Sequence, residues 1–189
     1  VGGQVYDTLQ IHMHPKFNPF TFQNDIAILE LADPVLDVAP SAIFRGAPQV
    51  SDQLQIVGFG GGGTPEEGSD GSFGVKRVGT TTIDKVTATR IEWRFDDPSE
   101  SNTAPGDSGG PAFIEVGGVY YVAGVTSGGT SANAGIGDSS FDTRVDAYKS
   151  WIDSIVGVTP DPDPDPNPDP DPNPDPDPNP DPDPNPDPD

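Results

Sequence analysis

The last thirty residues of the chain place a proline at every second position. From residue 160 to residue 189 every even position is proline and every odd position is Asp or Asn, which gives 15 Pro, 11 Asp and 4 Asn. Proline fixes φ and lacks a backbone N–H, so this stretch can build neither a helix nor a sheet ladder, and it has no apolar side chains for a core. The sequence therefore predicts a folded unit over residues 1–158 and a Pro-Asp/Asn repeat linker over residues 159–189.

The linker is expected to be disordered or to adopt an extended polyproline II conformation. Its four asparagines recur every six positions, at 167, 173, 179 and 185. At about 3.1 Å per residue, a stiff proline-rich segment of this length spans about 90 Å. This predicts a spacer that leads to a further C-terminal module or a surface anchor. Weak calcium binding by its carboxylates is the alternative, although an extended chain cannot wrap a cation with the six or more oxygens that calcium prefers.

Charge and cysteine content exclude several classes of function. Of the formal net charge of -22, the linker contributes 11 negative charges, and residues 1–159 carry the other 11. A folded unit this acidic argues against nucleic acid as a partner. The chain has no cysteine, which removes disulfides and thiolate metal sites, and it has no apolar run long enough to cross a membrane.

Short runs rich in Val, Ile and Thr, separated by Gly, Pro and Asn, indicate an antiparallel all-β fold. Gly117-Gly118 joins two of these runs and is typical of a tight hairpin. Residues 146–156 carry an apolar stripe at helical spacing, which predicts a C-terminal α-helix with Asp146 as its N-cap and Gly157 just past its end. The predicted strands lie at residues 4–14, 24–31, 54–59, 75–87, 89–95, 111–116, 119–126 and 141–145.

The segment Pro-Gly-Asp-Ser-Gly-Gly-Pro at residues 105–111 places one serine among three glycines at the entrance to an apolar strand. Glycine permits tight, positive-φ backbone, so successive N–H groups can converge on an anion beside an exposed hydroxyl. The segment resembles the nucleophile motif of the trypsin/chymotrypsin family of serine endopeptidases. Four further stretches resemble that family in order along the chain. They are His14-Pro15-Lys16-Phe17 with Asn24-Asp25-Ile26-Ala27, Gly58-Phe59-Gly60, residues 125–129, and residues 141–152.

The resemblance implies a trypsin-like double antiparallel β-barrel with its active site in the cleft between the barrels. Residues 1–158 would form the peptidase domain. Within it, residues 1–44 would be the remnant of an incomplete first barrel, residues 45–145 the second barrel, and residues 146–157 the terminal helix. The family also implies a polypeptide substrate, no cofactor and a secreted or cell-surface protein.

The resemblance also assigns roles to single residues. Ser108 would attack the peptide carbonyl, the N–H groups of Gly106 and Ser108 would form the oxyanion hole, and Asp25 would orient the general base. Taken alone, Asp25 is equally consistent with a turn that caps a strand, and Ser108 with a loop hydroxyl. Four residues would bind the substrate: Asn102 at the base of the primary pocket, and Ser127, Gly129 and Ser140 along it. Because Asn102 is uncharged, we expect only a weak preference for basic side chains.

The general base is the residue for which the sequence offers no candidate in the expected place. In the family the histidine precedes the aspartate by about twice the length that this chain has before Asp25. His12 and His14 are the only histidines, and both lie just before the aspartate loop. Replacement of the base by one of them and a two-histidine metal site are the alternatives, but a third ligand is missing. We therefore expect either a fragment that is inactive alone, or a non-catalytic binding or adhesion module on an acidic stalk.

The two interpretations of the linker predict different responses to calcium. A plain spacer should show no saturable calcium uptake by a peptide of residues 159–189, because its carboxylates are spread along an extended chain. Isothermal titration calorimetry of that peptide, beside a peptide with every Asp changed to Asn, measures the difference. A saturable heat seen only with the carboxylates would contradict the spacer interpretation.

Overall fold

The structure, a computed structural model, describes residues 3–157. The predicted linker at residues 159–189, with its polyproline and calcium interpretations, lies outside the described residues. Eleven strands and one α-helix form within the described part. They are β1 (Thr8–Met13), β2 (Ala27–Leu31), β3 (Gln53–Gly58), β4 (Gly63–Thr64), β5 (Gly68–Ser69), β6 (Arg77–Thr82), β7 (Lys85–Val86), β8 (Arg90–Arg94), β9 (Pro111–Val116), β10 (Val119–Gly129), β11 (Ser139–Arg144) and α1 (Lys149–Val156).

Seven of the strands form one curled sheet in the order β6-β3-β9-β10-β11-β8-β7. Every ladder in it is antiparallel, and Ile83 and Asp84 connect its two end strands in sequence. Strands β1 and β2 pair separately as an antiparallel hairpin. These features confirm the predicted all-β class with a helix at the end, and two strands lie before residue 45. The domain boundaries themselves remain a prediction.

The core of the curled sheet follows from the alternation of side chains along its strands. Leu54 and Ile56 on β3, and Ile91 and Trp93 on β8, are two residues apart and therefore point to the same face. Burial of each such large apolar side chain stabilises the fold by about 1.5–3 kcal/mol. The remaining buried members of this cluster are Ile83, Ala112, Ile114 and Ala123, with Phe44 and Val86 packed at its border.

One face of the β1–β2 hairpin is apolar and exposed. Leu9, Ile11 and Met13 alternate along β1, and Leu29 lies opposite Ile11 on β2. Their exposed fractions are 67%, 65%, 62% and 57%. The hairpin thus buries little of its own apolar surface on this face, and contacts elsewhere must hold it in place.

Those contacts come from the loop before β2 and from the C-terminal segment. The ring of His14 lies edge-on to Tyr148 and to Trp151, with centroids 5.1 Å apart in both pairs. Burial lowers the pKa of His14, and the charge of Lys16 lowers it further. The Tyr148 hydroxyl donates a hydrogen bond to Asn24 Oδ1 at 2.9 Å. These contacts fix the segment that leads into Asp25 against the end of the chain.

The terminal helix starts later than predicted. Asp146 begins a 3₁₀ turn, Tyr148 is the N-cap of α1, and no side chain caps either element. The prediction of Asp146 as N-cap is wrong because its carboxylate binds the guanidinium group of Arg144 through both oxygens. Gly157 at the end of the helix is confirmed, since it is left-handed with φ of 69° and its N–H bonds Asp153 O at 3.0 Å.

Two glycine-rich connections differ in structure. Gly117-Gly118 is confirmed as a hairpin turn, with φ of 59° and 83°. The glycine-rich loop at residues 60–72 contains the short strands β4 and β5, which the sequence did not predict. Within residues 3–157 we find no helix that is both long enough and apolar enough to cross a bilayer.

Asp142 is an ionisable residue inside the apolar face of the sheet. Its side chain is fully buried beside Ile91 and opposite Thr126, and neither carboxyl oxygen has a hydrogen-bond partner among residues 3–157. Burial raises the pKa of Asp142 to about 7. Gly124 accommodates this side chain, since a Cβ there would lie 2.7 Å from Asp142 Oδ2.

The buried carboxyl of Asp142 should make stability depend on pH. Between its unfolded value of 3.8 and about 7, the folded state keeps a proton that the unfolded state releases. Stability therefore falls as the pH rises through this window, by up to about 1.4 kcal/mol per pH unit. Asp142→Asn removes this titration. The free energy of unfolding of the variant, relative to that of the wild type, should therefore increase between pH 4 and pH 7. Urea denaturation across that range measures it, and a constant difference would contradict the prediction.

Candidate active site

The segment that carries Ser108 forms a tight loop in front of β9. Asp107 N donates to Ala104 O at 3.0 Å, and Gly110 N donates to Asp107 O at 2.8 Å. Gly106 and Gly109 have φ of 96° and 80°, values that side chains disfavour. We call residues 104–110 the nucleophile loop. It leaves the Ser108 side chain exposed at its outer surface.

The carboxylate of Asp107 points inward and joins this loop to the turn after β3. Its Oδ1 accepts a hydrogen bond from Gly60 N at 2.7 Å, and its Oδ2 accepts one from Ala104 N at 2.9 Å. A Cβ on Gly58 would collide with Oδ1, and a Cβ on Gly60 would lie 2.6 Å from Asp107 Cγ. The Gly-Phe-Gly turn thus has glycine at both positions because the carboxylate occupies the space that side chains would need.

A cavity of about 210 Å³ lies on the inner side of the nucleophile loop. Its lining includes Asn102, Asp107 and Arg77. The Arg77 guanidinium donates to Gly60 O at 3.0 Å and to Ser72 Oγ at 2.9 Å. The wall of the cavity is therefore fixed by the same turn that binds Asp107.

Two backbone N–H groups of the loop are available to a ligand. Among residues 3–157, neither Gly106 N nor Ser108 N donates to an acceptor, whereas Asp107, Gly109 and Gly110 all do. These are the two donors that the family resemblance assigns to an oxyanion hole. A negatively charged oxygen can bind here only if these N–H groups are free to donate to it.

Strand β10 connects the nucleophile loop to Asp25. Gly109 N donates to Thr126 O at 2.8 Å, and Thr126 N donates to Gly110 O at 2.9 Å. The next residue, Ser127, donates its hydroxyl to Asp25 Oδ2 at 2.7 Å. The structure thus brings Asp25, which belongs to the hairpin segment, beside the loop of Ser108.

The other predicted pocket residues gather on the far side of β10. Ser140, which is 1% exposed, donates to Asn102 Oδ1 at 2.6 Å. Gly129 lies opposite Ser140 across the β10–β11 ladder, and a Cβ on it would stand 3.3 Å from Ser140 Oγ. Three of the four predicted pocket residues therefore come together, whereas the side chain of Ser127 is directed to Asp25.

Comparison with known proteins identifies the family of the chain. The Trypsin family profile matches residues 1–152. The chain belongs to the trypsin family. It is 29% identical to a trypsin of Phaedon cochleariae over 166 residues, which cover 79% of this chain and 61% of that protein. It is 30% identical to brachyurin of Leptuca pugilator over 157 residues, which cover 78% and 67% of the two chains.

A third relative shows how much these proteins differ in length. The chain is 26% identical to CLIP domain-containing serine protease B14 of Anopheles gambiae, over 78% of this chain and 47% of that protein. With the Phaedon trypsin, this means that the chain spans about half to three fifths of the first relatives that it matches.

Neither histidine of this trypsin-family chain lies at Ser108. His12 bonds Glu30 through Nε2 at 3.1 Å, and His14 packs between Tyr148 and Trp151 while its Nδ1 accepts Lys16 N. Both side chains are thus engaged separately, on and just after β1. The alternatives of a replaced base and of a shared two-histidine metal site gain no support from these positions.

Sequence reasoning missed the residues that hold the site residues in place. Trp93 Nε1 donates to Asn102 Oδ1 at 3.2 Å, and the Thr103 hydroxyl donates to Ser140 Oγ at 2.9 Å. Thr126 contributes backbone groups only, which any residue would supply. No local pattern marks such partners, because they meet only through the register of distant strands.

The fit of Asp107 against Gly58 predicts a large effect of one methyl group. Gly58→Ala should lower the free energy of unfolding by about 1–3 kcal/mol, since the Cβ collides with a carboxylate that two amides hold in place. Gly3→Ala, which meets no atom within 4 Å, should change it by less than about 0.5 kcal/mol. Guanidinium denaturation measures both. In an Asp107→Ala background the cost of Gly58→Ala should shrink, and an undiminished cost would refute the explanation.

Proposed function

We propose that this chain is the nucleophile-bearing part of a serine endopeptidase whose general base lies outside residues 1–189. One observation carries the proposal. The Ser127 hydroxyl holds Asp25 beside the loop that exposes Ser108, although Asp25 precedes β2 of the hairpin and Ser108 precedes β9 of the seven-stranded sheet. If Ser108 were only a loop residue and Asp25 only a turn cap, the segments that carry them would have no reason to bond neighbouring residues of the same strand, β10. Membership of the trypsin family supports peptide-bond hydrolysis as the reaction.

In the proposed reaction Ser108 Oγ attacks the carbonyl carbon of a peptide bond while the base removes its proton. The N–H groups of Gly106 and Ser108 bind the resulting oxyanion. The base then gives its proton to the leaving amine, and an acyl-enzyme remains on Ser108. Water, deprotonated by the base, attacks the ester carbonyl. The bond between the acyl carbon and Ser108 Oγ then breaks, the base returns its proton to Oγ, and the acid is released. Asp25 orients the base and stabilises its protonated form throughout.

We extend the proposal to substrate and location. The substrate is a polypeptide, because membership of the trypsin family supports peptide-bond hydrolysis and the loop with Ser108 is exposed. The protein acts outside the cell, either secreted or at the cell surface, with the predicted linker leading to a further module or anchor.

A non-catalytic binding or adhesion module is the second candidate. The position of the two histidines favours it, because both are engaged away from Ser108. Reading the coding sequence upstream of Val1 separates the candidates. A histidine in an Ala-Ala-His-like segment supports the enzyme, and another residue in its place supports the module.

Activity measurements test the endopeptidase proposal directly. A chain of residues 1–189 should not be labelled by a peptidyl phosphonate, because Ser108 lacks a base. A protein that also contains the upstream segment should hydrolyse peptides, and Ser108→Ala should lower kcat by about four orders of magnitude or more. Ser150→Ala changes an exposed helical serine and should leave kcat unaltered.

Two results would count against this account. Labelling of residues 1–189 that is lost in Ser108→Ala would show that the chain needs no external base. Full activity of Ser108→Ala in the longer protein would show that Ser108 is not the nucleophile.

A further inference from the structure

Arg90 on β8 carries a partly buried positive charge that no carboxylate balances. Within residues 3–157 it takes part in no ion pair. Acidic partners are plentiful, because the chain holds 31 Asp and Glu against 9 Lys and Arg. A charged group that loses water without gaining a counter-charge costs free energy. Arg90 therefore has an unused capacity to bind an anion.

Two of the three guanidinium nitrogens of Arg90 are left for a ligand. Nη2 donates to the backbone oxygen of Thr21. In the described part of the chain, Nε is buried without an acceptor, and no hydrogen bond occupies Nη1, which stays open to solvent. Thr143, directly opposite Arg90 across the β8–β11 ladder, also has a buried hydroxyl without a partner there. All of these groups can donate, so the missing partner is an acceptor oxygen.

The guanidinium plane of Arg90 is held in place by an aromatic ring and a backbone oxygen. Arg90 Cζ lies 4.2 Å from the centre of the Phe141 ring, a cation–π contact. Thr21, which accepts from Nη2, belongs to the loop between β1 and β2 that ends at Asp25. The ring is uncharged, so it orients the guanidinium group without neutralising it.

The Phe141 ring also places Arg90 close to the strand that serves the candidate active site. A Cβ on Gly128 would lie 2.8 Å from Phe141 Cζ, so the ring sits directly against this part of β10. Gly128 follows Ser127, whose hydroxyl binds Asp25. Through the ring, the guanidinium group of Arg90 is thus next to the part of β10 that bonds Asp25.

We propose that Arg90 binds a carboxylate side chain of the substrate, at a position other than the one that enters the cavity at Asn102. Arg90 is not among the residues that line that cavity. A carboxylate supplies both the counter-charge and the acceptor oxygens that the guanidinium group lacks, and such charge-assisted bonds are about twice as strong as neutral ones. The inference rests on the proposed endopeptidase function and specifies its substrate as a polypeptide with Asp or Glu near the scissile bond.

Two small probes test Arg90 without any catalysis. N-acetylglutamate amide carries one carboxylate, and N-acetylglutamine amide is a neutral molecule of nearly the same shape. In residues 1–189 with isotope-labelled arginine, nuclear magnetic resonance follows the Nε–Hε signal of each arginine. The carboxylate probe should shift the Arg90 signal saturably, with an affinity at least about fivefold higher than that of the neutral probe. The signal of Arg94, an exposed arginine on the same strand, should move much less.

Matched variants identify the source of the effect. Arg90→Gln should abolish the preference for the carboxylate probe. Arg94→Gln removes the same charge from an exposed position on β8 and should keep the preference, which separates local from long-range electrostatics. Equal or absent binding of the two probes by the wild-type chain would overturn the proposal, as would an undiminished preference in Arg90→Gln. The wild-type comparison needs no variant and stands even if Arg90→Gln does not fold.

Hydrolysis by the longer protein separates this inference from the proposed function. In a peptide library varied one position at a time, at least one position should show a kcat/KM about fivefold higher or more for Asp or Glu than for Asn or Gln. Arg90→Gln should remove that preference and keep hydrolysis. Hydrolysis without any acidic preference would overturn the assignment of Arg90. If no peptide is cleaved, the endopeptidase proposal fails, and the probe titration still decides whether Arg90 binds a carboxylate.

Discussion

The carboxylate of Asp107 is the contact on which the geometry of the site depends. It accepts one amide from its own loop and one from the turn after β3, so a single side chain sets the position of both segments. Glycine at 58 and 60, the inward turn of the loop and the outward position of Ser108 all follow from the space that this group occupies. A partly buried carboxylate with two N–H donors is well solvated by the protein, which makes the arrangement rigid.

Strand β10 organises what lies around that loop. Its successive residues serve different parts of the site, because side chains alternate along a strand while backbone groups point sideways. Thr126 bonds the nucleophile loop through its backbone, Ser127 bonds Asp25, and Gly129 leaves room beside Ser140. One strand thus contacts the segment of Asp25, the loop of Ser108 and the predicted pocket residues.

The sequence predicts what local chemistry determines. The Gly117-Gly118 turn, the helix stop at Gly157 and the exposed Ser108 follow from residues within a few positions of each other. Long-range register decides the rest. The unpartnered carboxyls of Asp138 and Asp142 become visible only once β10, β11 and β8 lie side by side. For the same reason, the sequence predicts Asn102 as the uncharged residue at the bottom of the primary pocket, but it does not show that Asn102 Oδ1 already accepts a hydrogen bond from Ser140. Asp146 is a local exception, because its neighbour Arg144 takes the carboxylate that would otherwise cap the helix.

The exposed apolar face of the β1–β2 hairpin has a consequence for the behaviour of the chain in solution. A two-stranded sheet also offers an outer edge on each strand, and such edges with apolar neighbours favour pairing between molecules. A net charge of -22 opposes that association by mutual repulsion. The repulsion has a range of about 10 Å at 0.1 M salt and about 3 Å at 1 M, so the colloidal stability of this chain is electrostatic and declines with ionic strength.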